Sequence, residues 1–144
     1  MKVLVQRSKN AYVSVRKEVV GEIDSGYVLF VGFTESDTKE KINKMIKKII
    51  NLRILDDENG VMNKSILDFN KSILSISQFT LYADTNNGNR PSYKNAMNSK
   101  DAEVLYNYFN QELKKYINVE TGIFGSDMEV HIINDGPVTI MLEV

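Results

Sequence analysis

Cysteine is absent from this 144-residue chain, which removes disulfides, thiol nucleophiles and thiolate metal sites together. Histidine occurs once, as His131, so a clustered zinc site lacks its ligands, and neither a metal nor a cofactor is expected. No stretch reaches the 18 or more uninterrupted apolar residues of a membrane span. The N-terminus opens on an alternating run instead of a charged-then-apolar leader. The expectation is a soluble, cytoplasmic protein with no membrane partner. An excess of charge of either sign is missing too. With 18 basic and 19 acidic residues the formal net charge is −1, so any RNA contact must come from a local cluster of Lys and Arg. The chain also has no Ser-His-Asp arrangement, Gly-x-Ser-x-Gly elbow, Walker loop or dinucleotide fingerprint. Nucleophilic triads, metal hydrolysis and nucleotide-dependent chemistry therefore lack their parts, and hydroxyls, amides and backbone donors remain.

What is present suits one domain over residues 1–144: the length and an apolar share of 42% are enough for a single core. No repeat or linker interrupts it. Lys2–Arg7, Ala11–Val15 and Val19–Ile23 read as three short strands of a meander. Ser25-Gly26 turns the chain into Tyr27–Phe33, whose near-continuous apolarity predicts a central strand buried on both faces. Arg7 falls on the Val3 and Val5 face, where an arginine belongs only at a rim or in a pair. Ile42, Met45, Ile46, Ile49 and Ile50 recur at helical spacing, with Asp37 and Glu40 as a capping box. The lysines at 39, 41, 44, 47 and 48 read as the solvated face of that helix, though such a stripe could meet phosphates.

Asn51–Leu55 reads as a strand, and Asn59-Gly60 as a hairpin turn into Val61-Met62. A second helix is predicted over Lys100–Tyr116 with Ser99 as N-cap and a core-facing aromatic stripe. The last third returns to strand: Asn118–Thr121, Met128–Ile133 and Val138–Val144, with Asn134–Pro137 as a turn. His131, on the more polar face of its strand and without a catalytic partner in sequence, reads as a surface residue. The fold class expected is α+β, a mostly antiparallel, barrel-like sheet packed with two helices.

Function concentrates in Ser75–Asp84. Read as the end of a strand running from Ser72 to Leu81, it puts Ser75, Ser77, Phe79 and Leu81 on one face and Ile76, Gln78, Thr80 and Tyr82 on the other. Neither face is cleanly apolar. Buried hydroxyls and amides without partners cost roughly 1 to 3 kcal/mol each. Either Ser77 and Thr80 bond neighbouring backbone while Gln78 faces solvent, or a substrate supplies the partners. The Thr85–Lys94 segment is a loop in which Arg90, Lys94 and Tyr93 could grip a phosphate and stack on a base.

Ser77-Gln78-Phe79-Thr80-Leu81 together with Asn134-Asp135-Gly136-Pro137-Val138-Thr139 resembles the paired signature of the D-aminoacyl-tRNA deacylases. Lesser matches are colinear with it: Val5-Gln6-Arg7, Asn51–Ile54, Met62–Ser65, Arg90–Tyr93 and Glu120–Met128. The resemblance covers essentially the whole chain. The family is more basic where this sequence has Asn86, Asn87 and Asn89, which weakens the expected RNA backbone contacts of that loop.

The resemblance implies hydrolysis of the ester that joins a D-amino acid to the acceptor end of tRNA, with Ser77, Gln78, Phe79 and Thr80 as the catalytic segment. It also implies a homodimer in which a cis Gly136-Pro137 peptide reaches the partner's site. Arg7 would hold that segment. A main-chain wall there would bind the substrate's α-amino group and obstruct L side chains, while glycine would escape rejection. An aminoacyl ester is already activated, so positioning, a placed water and N–H donors could suffice. Thr80 could be the nucleophile, or the RNA's own 2′-OH could activate water. The second is favoured because the motif offers no general base for a threonine proton. Two other readings stand beside this one: a non-enzymatic RNA- or ligand-binding module on the same fold, and another ester or amide hydrolase using Thr80.

Overall fold

Two strands much longer than the residue pattern predicts frame the molecule. In the computed structural model, which describes residues 1–144, β1 spans Lys2–Val15 and β8 spans Glu129–Glu143. Between them lie β2 (Glu18–Ile23), β3 (Gly26–Gly32), α1 (Lys39–Ile50), β4 (Leu55–Asp56), β5 (Met62–Lys64), β6 (Ser72–Ser77), α2 (Ser99–Leu113) and β7 (Asn118–Thr121). The polar residues at 8–10 and 134–137 do not break their strands as expected. β1 and β8 pair antiparallel from Lys2 opposite Glu143 to Ser14 opposite Glu129, and this ladder absorbs the polar stretches as register shifts instead of turns.

β3 and β2 occupy successive halves of one edge of β1, Lys2–Ser8 and Ala11–Val15, while β8 takes the other edge. The sheet continues parallel from β3 to β6 and from β6 to β7, so it is mixed, with all its antiparallel pairings made by β1. Its far edge curls back toward β2. A Cβ on Gly21 would lie 2.7 Å from the Thr121 carbonyl oxygen, and only the missing side chain lets β2 come that close to β7. The result is a nearly closed barrel-like sheet with two helices, an α+β domain as expected.

β3 is central and buried on both faces. Tyr27, Leu29 and Val31 join the large core beneath the helices, and Val28 joins a smaller core with Ala11, Val13, Ile23, Leu74 and Ile76. α1 buries the five residues its spacing singles out and exposes most of its lysines. Its N-cap is Thr38, whose hydroxyl accepts from the Lys41 N–H at 3.4 Å. Asp37 is drawn inward instead: its buried carboxylate accepts from the Met1 ammonium at 2.5 Å and the Thr34 N–H at 2.8 Å. α2, by contrast, starts one residue earlier than expected, with Asn98 accepting from the Asp101 N–H at 3.1 Å. It ends at Leu113, which leaves Tyr116 outside the helix and exposed. Of Asn51–Leu55 only Leu55 is extended; it opens the β4–β5 hairpin, which turns through Gly60 at φ +75°.

Candidate active site

The site begins where β6 leaves the sheet. Ser77 still pairs with Val31, and the Gln78 N–H still donates to the Val31 carbonyl at 2.8 Å. The chain then stops being a strand, contrary to the alternation read from sequence. Phe79–Tyr82 form one turn of 3-10 helix, with Leu81 N–H donating to Gln78 O at 3.4 Å and Ala83 N–H to Thr80 O at 3.0 Å. Gly32, at the end of β3, makes room for this. A Cβ there would lie 2.8 Å from the Gln78 carbonyl oxygen and 3.3 Å from the Leu81 Cβ.

A helical turn leaves its first N–H groups without partners. Here those of Phe79 and Thr80 donate to no protein acceptor. They sit side by side in the sequence, as a pair of donors for developing negative charge does. The Thr80 hydroxyl accepts from the Gln78 amide Nε2 at 2.5 Å. That contact places a donor, not a base, on the threonine oxygen.

Ser77, Gln78 and Phe79 line a cavity of about 860 Å³. Its other walls are Tyr93 and the run Ala96 to Ser99, leading into α2, and Phe124 to Met128, leading into β8. Asp127 is the one charged side chain among the lining residues. Behind the cavity, the Ser75 carbonyl accepts from the Tyr106 hydroxyl at 2.8 Å and from the Gly122 N–H at 3.2 Å. The Tyr106 ring leans on Phe124 at 5.7 Å between centroids, and burial pushes its phenol pKa up. From sequence, Tyr106 was only a core aromatic, and the Phe124–Met128 wall was only a stretch matching the family. The closely spaced Gly122 and Gly125 around Phe124 were the available signal for that wall.

The 84–94 loop is tied at its base by Asp84 and Ser92, which exchange N–H···O bonds of 2.8 and 2.9 Å. Beyond the tie, Tyr93 meets Phe79 edge to face at 5.0 Å and 70°. Arg90 and Lys94, three residues before it and one after, are exposed and do not line the cavity.

Arg7, Gly136 and Pro137 form a second group, none of which lines the cavity. Gln6 pairs with Thr139 and Ser8 with Asn134, so two steps along β1 face five along β8, and the surplus stands out as a bulge. At its tip Gly136 adopts φ +119°, the Gly136-Pro137 peptide is cis, and both residues are exposed. Arg7 holds the base. Its guanidinium donates to the Ile54 carbonyl at 2.9 Å, to Asp56 Oδ1 at 3.0 Å and to the Asp135 carbonyl at 3.2 Å, with Asp135 Oδ2 also at 3.2 Å. The arginine on the Val3 and Val5 face is therefore buried and paired. His131 lies apart from both groups, half-exposed and stacked on Tyr12 at 4.2 Å and 12°.

Residues 4–143 match the family model described as D-Tyr-tRNA(Tyr) deacylase. The D-aminoacyl-tRNA deacylase of Limosilactobacillus reuteri (strain DSM 20016) is 53% identical over 144 residues, covering 99% of each chain. That of Staphylococcus haemolyticus (strain JCSC1435) is 54% identical over 144 residues, covering 99% of this chain and 95% of the relative. Among solved structures, the c-Myc DNA Unwinding Element Binding Protein superposes with a TM-score of 0.95 at 41% identity, over 100% of this chain and 99% of that one. A probable eukaryotic D-amino acid tRNA deacylase superposes at 0.86 over 99% and 98%, and at 15% identity that likeness concerns the fold.

Proposed function

Because this chain belongs to the D-Tyr-tRNA(Tyr) deacylase family and hydrolyses D-aminoacyl-tRNA, we propose that the 3′-terminal aminoacyl ester is held against Ser77–Thr80, with its carbonyl oxygen toward the Phe79 and Thr80 N–H groups. That activity displaces the reading of a binding module without chemistry. As a tetrahedral centre forms, the two free N–H groups take up the growing charge on oxygen, a stabilisation commonly worth about 3 to 4 kcal/mol per donor. Ser77 and Gln78 orient the ester, and the terminal nucleoside lies in the neutral part of the cavity. The adjacent ribose 2′-OH activates the attacking water. Thr80 is a positioning group because the Gln78 amide donates to its oxygen and no basic side chain lies there to take its proton.

Gly136 and Pro137 complete the site of a second copy. They are exposed and outside their own chain's cavity. The β8 strand that carries them bonds to β1 on one edge only, and Ile133 and Met141 stand exposed along it. A two-fold homodimer through this strand buries those side chains and carries each bulge to the partner. Arg7 fixes the bulge from beneath. The main chain of Gly136 and Pro137 then accepts from the substrate's α-amino group and stands where an L side chain would go, while a glycyl ester has nothing to obstruct. Tyr93 at the cavity and Arg90 and Lys94 outside it receive the RNA, and translation places the work in the cytoplasm.

The pair of unpartnered N–H groups carries this reading. Thr80→Ala tests it on matched D- and L-aminoacyl-tRNA. A loss of roughly a hundredfold on the D-ester is expected, as for a misplaced group, with the L-ester untouched by the parent chain. A threonyl-acyl intermediate trapped by mass spectrometry would defeat the water mechanism. A fully active monomer in solution would defeat the shared site.

A further inference from the structure

The mouth of the cavity carries two aromatic rings that the ester chemistry does not use. Phe79 and Tyr93 are 54% and 40% exposed, although each ring would gain by leaving water. They come from different elements, the 3-10 turn and the far side of the Asp84–Ser92 tie, and they meet edge to face at 5.0 Å. Such a pair leaves a ring face open to a third flat group.

The segment behind Tyr93 is pinned. The Ala96 N–H donates to the Tyr93 carbonyl at 3.0 Å, the Thr34 hydroxyl to Asn95 O at 2.7 Å, and the Met97 N–H to Phe33 O at 2.9 Å. The pair is therefore a fixed surface. Charge sorts what can lie where. The cavity lining offers no cation to hold a phosphodiester, and its one charged side chain, the exposed Asp127, disfavours one. Arg90 and Lys94 flank Tyr93 in sequence, are exposed, and make no ion pair within the chain. A single strand entering with its terminal nucleoside inside must leave its next phosphate and base at this mouth.

Resting on the site reading above, we infer that Phe79 and Tyr93 form a stacking platform for the penultimate base of the tRNA 3′ end, with Arg90 and Lys94 on its phosphates. Stacking recognises a π-face and not an edge, so the platform accepts any of the four bases.

A cycle that varies both partners tests this, using the full chain and D-aminoacyl-tRNA with an intact or an abasic penultimate nucleotide. Removal of the base should lower kcat/KM of the parent chain roughly 5- to 100-fold, mainly through KM. In Tyr93→Leu the same removal should cost at least about threefold less than in the parent chain, because Phe79 alone is left of the pair. Tyr93→Phe should restore most of the penalty, which a merely folding-related defect would not do. Exchanging the penultimate base among all four should change kcat/KM less than about threefold. An equal penalty in parent and Tyr93→Leu chains, or strong preference for one base, would overturn the platform while leaving hydrolysis at Ser77–Thr80 intact. Failure of the parent chain to cleave the intact D-ester would instead overturn the site reading itself.

Discussion

Replacing Gly32 by alanine perturbs the site through one atom. The added Cβ would sit 2.8 Å from the Gln78 carbonyl oxygen and 3.3 Å from the Leu81 Cβ. One contact is main chain, so no side-chain rotation relieves it. The Gln78 N–H is bonded to Val31 O, one residue before Gly32, which ties the two strands together just where they must separate. Relief requires a shift of about half an ångström in Gln78–Thr80, the segment carrying both free N–H groups. Overpacking of this kind costs about 1 to 3 kcal/mol of stability. A misplacement of about 1 Å costs about a hundredfold in rate, so half of that predicts a fall of about tenfold in single-turnover hydrolysis of D-aminoacyl-tRNA. Gly60→Ala is the control. Its φ of +75° strains alanine by about 1 kcal/mol, but nothing lies within 4 Å of the new atom. Thermal unfolding and single-turnover rates of both variants separate lost stability from lost geometry. Wild-type turnover in Gly32→Ala, or an equal loss of turnover in Gly60→Ala, would refute the argument.

Arg7→Leu removes three donated hydrogen bonds and leaves the Ile54 carbonyl buried without a donor. Since Asp56 and Asp135 are 47% and 39% exposed and can rehydrate, the loss should be about 2 to 4 kcal/mol by urea unfolding; a change within about 0.5 kcal/mol would count against it. With a net charge of −1 and the 84–94 loop offering Arg90 and Lys94 as its cations, the log-log salt slope of tRNA binding should be shallow. A slope as steep as that of a protein neutralising six or more phosphates would contradict this. The Asp57 carboxyl is held below its ordinary range by the N–H groups of Val61 and Asn59. It therefore adds stability above the unfolded carboxylate pKa, about 4, and loses it as pH falls through the lower folded value. Asp57→Asn should flatten the acid limb of Tm against pH, and an unchanged limb would sink the assignment.

The features legible in the sequence were those fixed by one residue's neighbours along the chain. The α1 stripe of Ile42, Met45, Ile46, Ile49 and Ile50 is its buried face, the apolar run of β3 is central, and Asn59-Gly60 turns a hairpin. What the local sequence conceals depends on partners distant along the chain. Residues 134–137 resemble a turn by composition, but they bulge from a strand that pairs with β1 on either side of them. Residues 79–82 resemble a strand by propensity, but close approach to Gly32 coils them. The two motif words could be seen in the chain and the glycines at 122 and 125 hinted at a wall around Phe124, whereas the Tyr106 brace behind it follows from packing alone.

The pairing of β8 with β1 also sets an order of events during synthesis. A chain emerging from the ribosome can form β1, β2, β3 and α1 well before β8 exists, and all that time one edge of β1 stays unpaired along most of its 14 residues. Pairings as far apart in sequence as Ser14 with Glu129 and Lys2 with Glu143 are slow to close because the loop entropy precedes their reward. The nascent domain must therefore wait, with an open edge that any extended segment could join, until its own last strand arrives. The bulge at Gly136 and Pro137 takes its shape from the count of residues on β1 opposite it, so it has no defined form until that moment. Much of the hydrophobic core against α1 can assemble early, whereas the Gly136-Pro137 bulge takes shape only once β8 has paired.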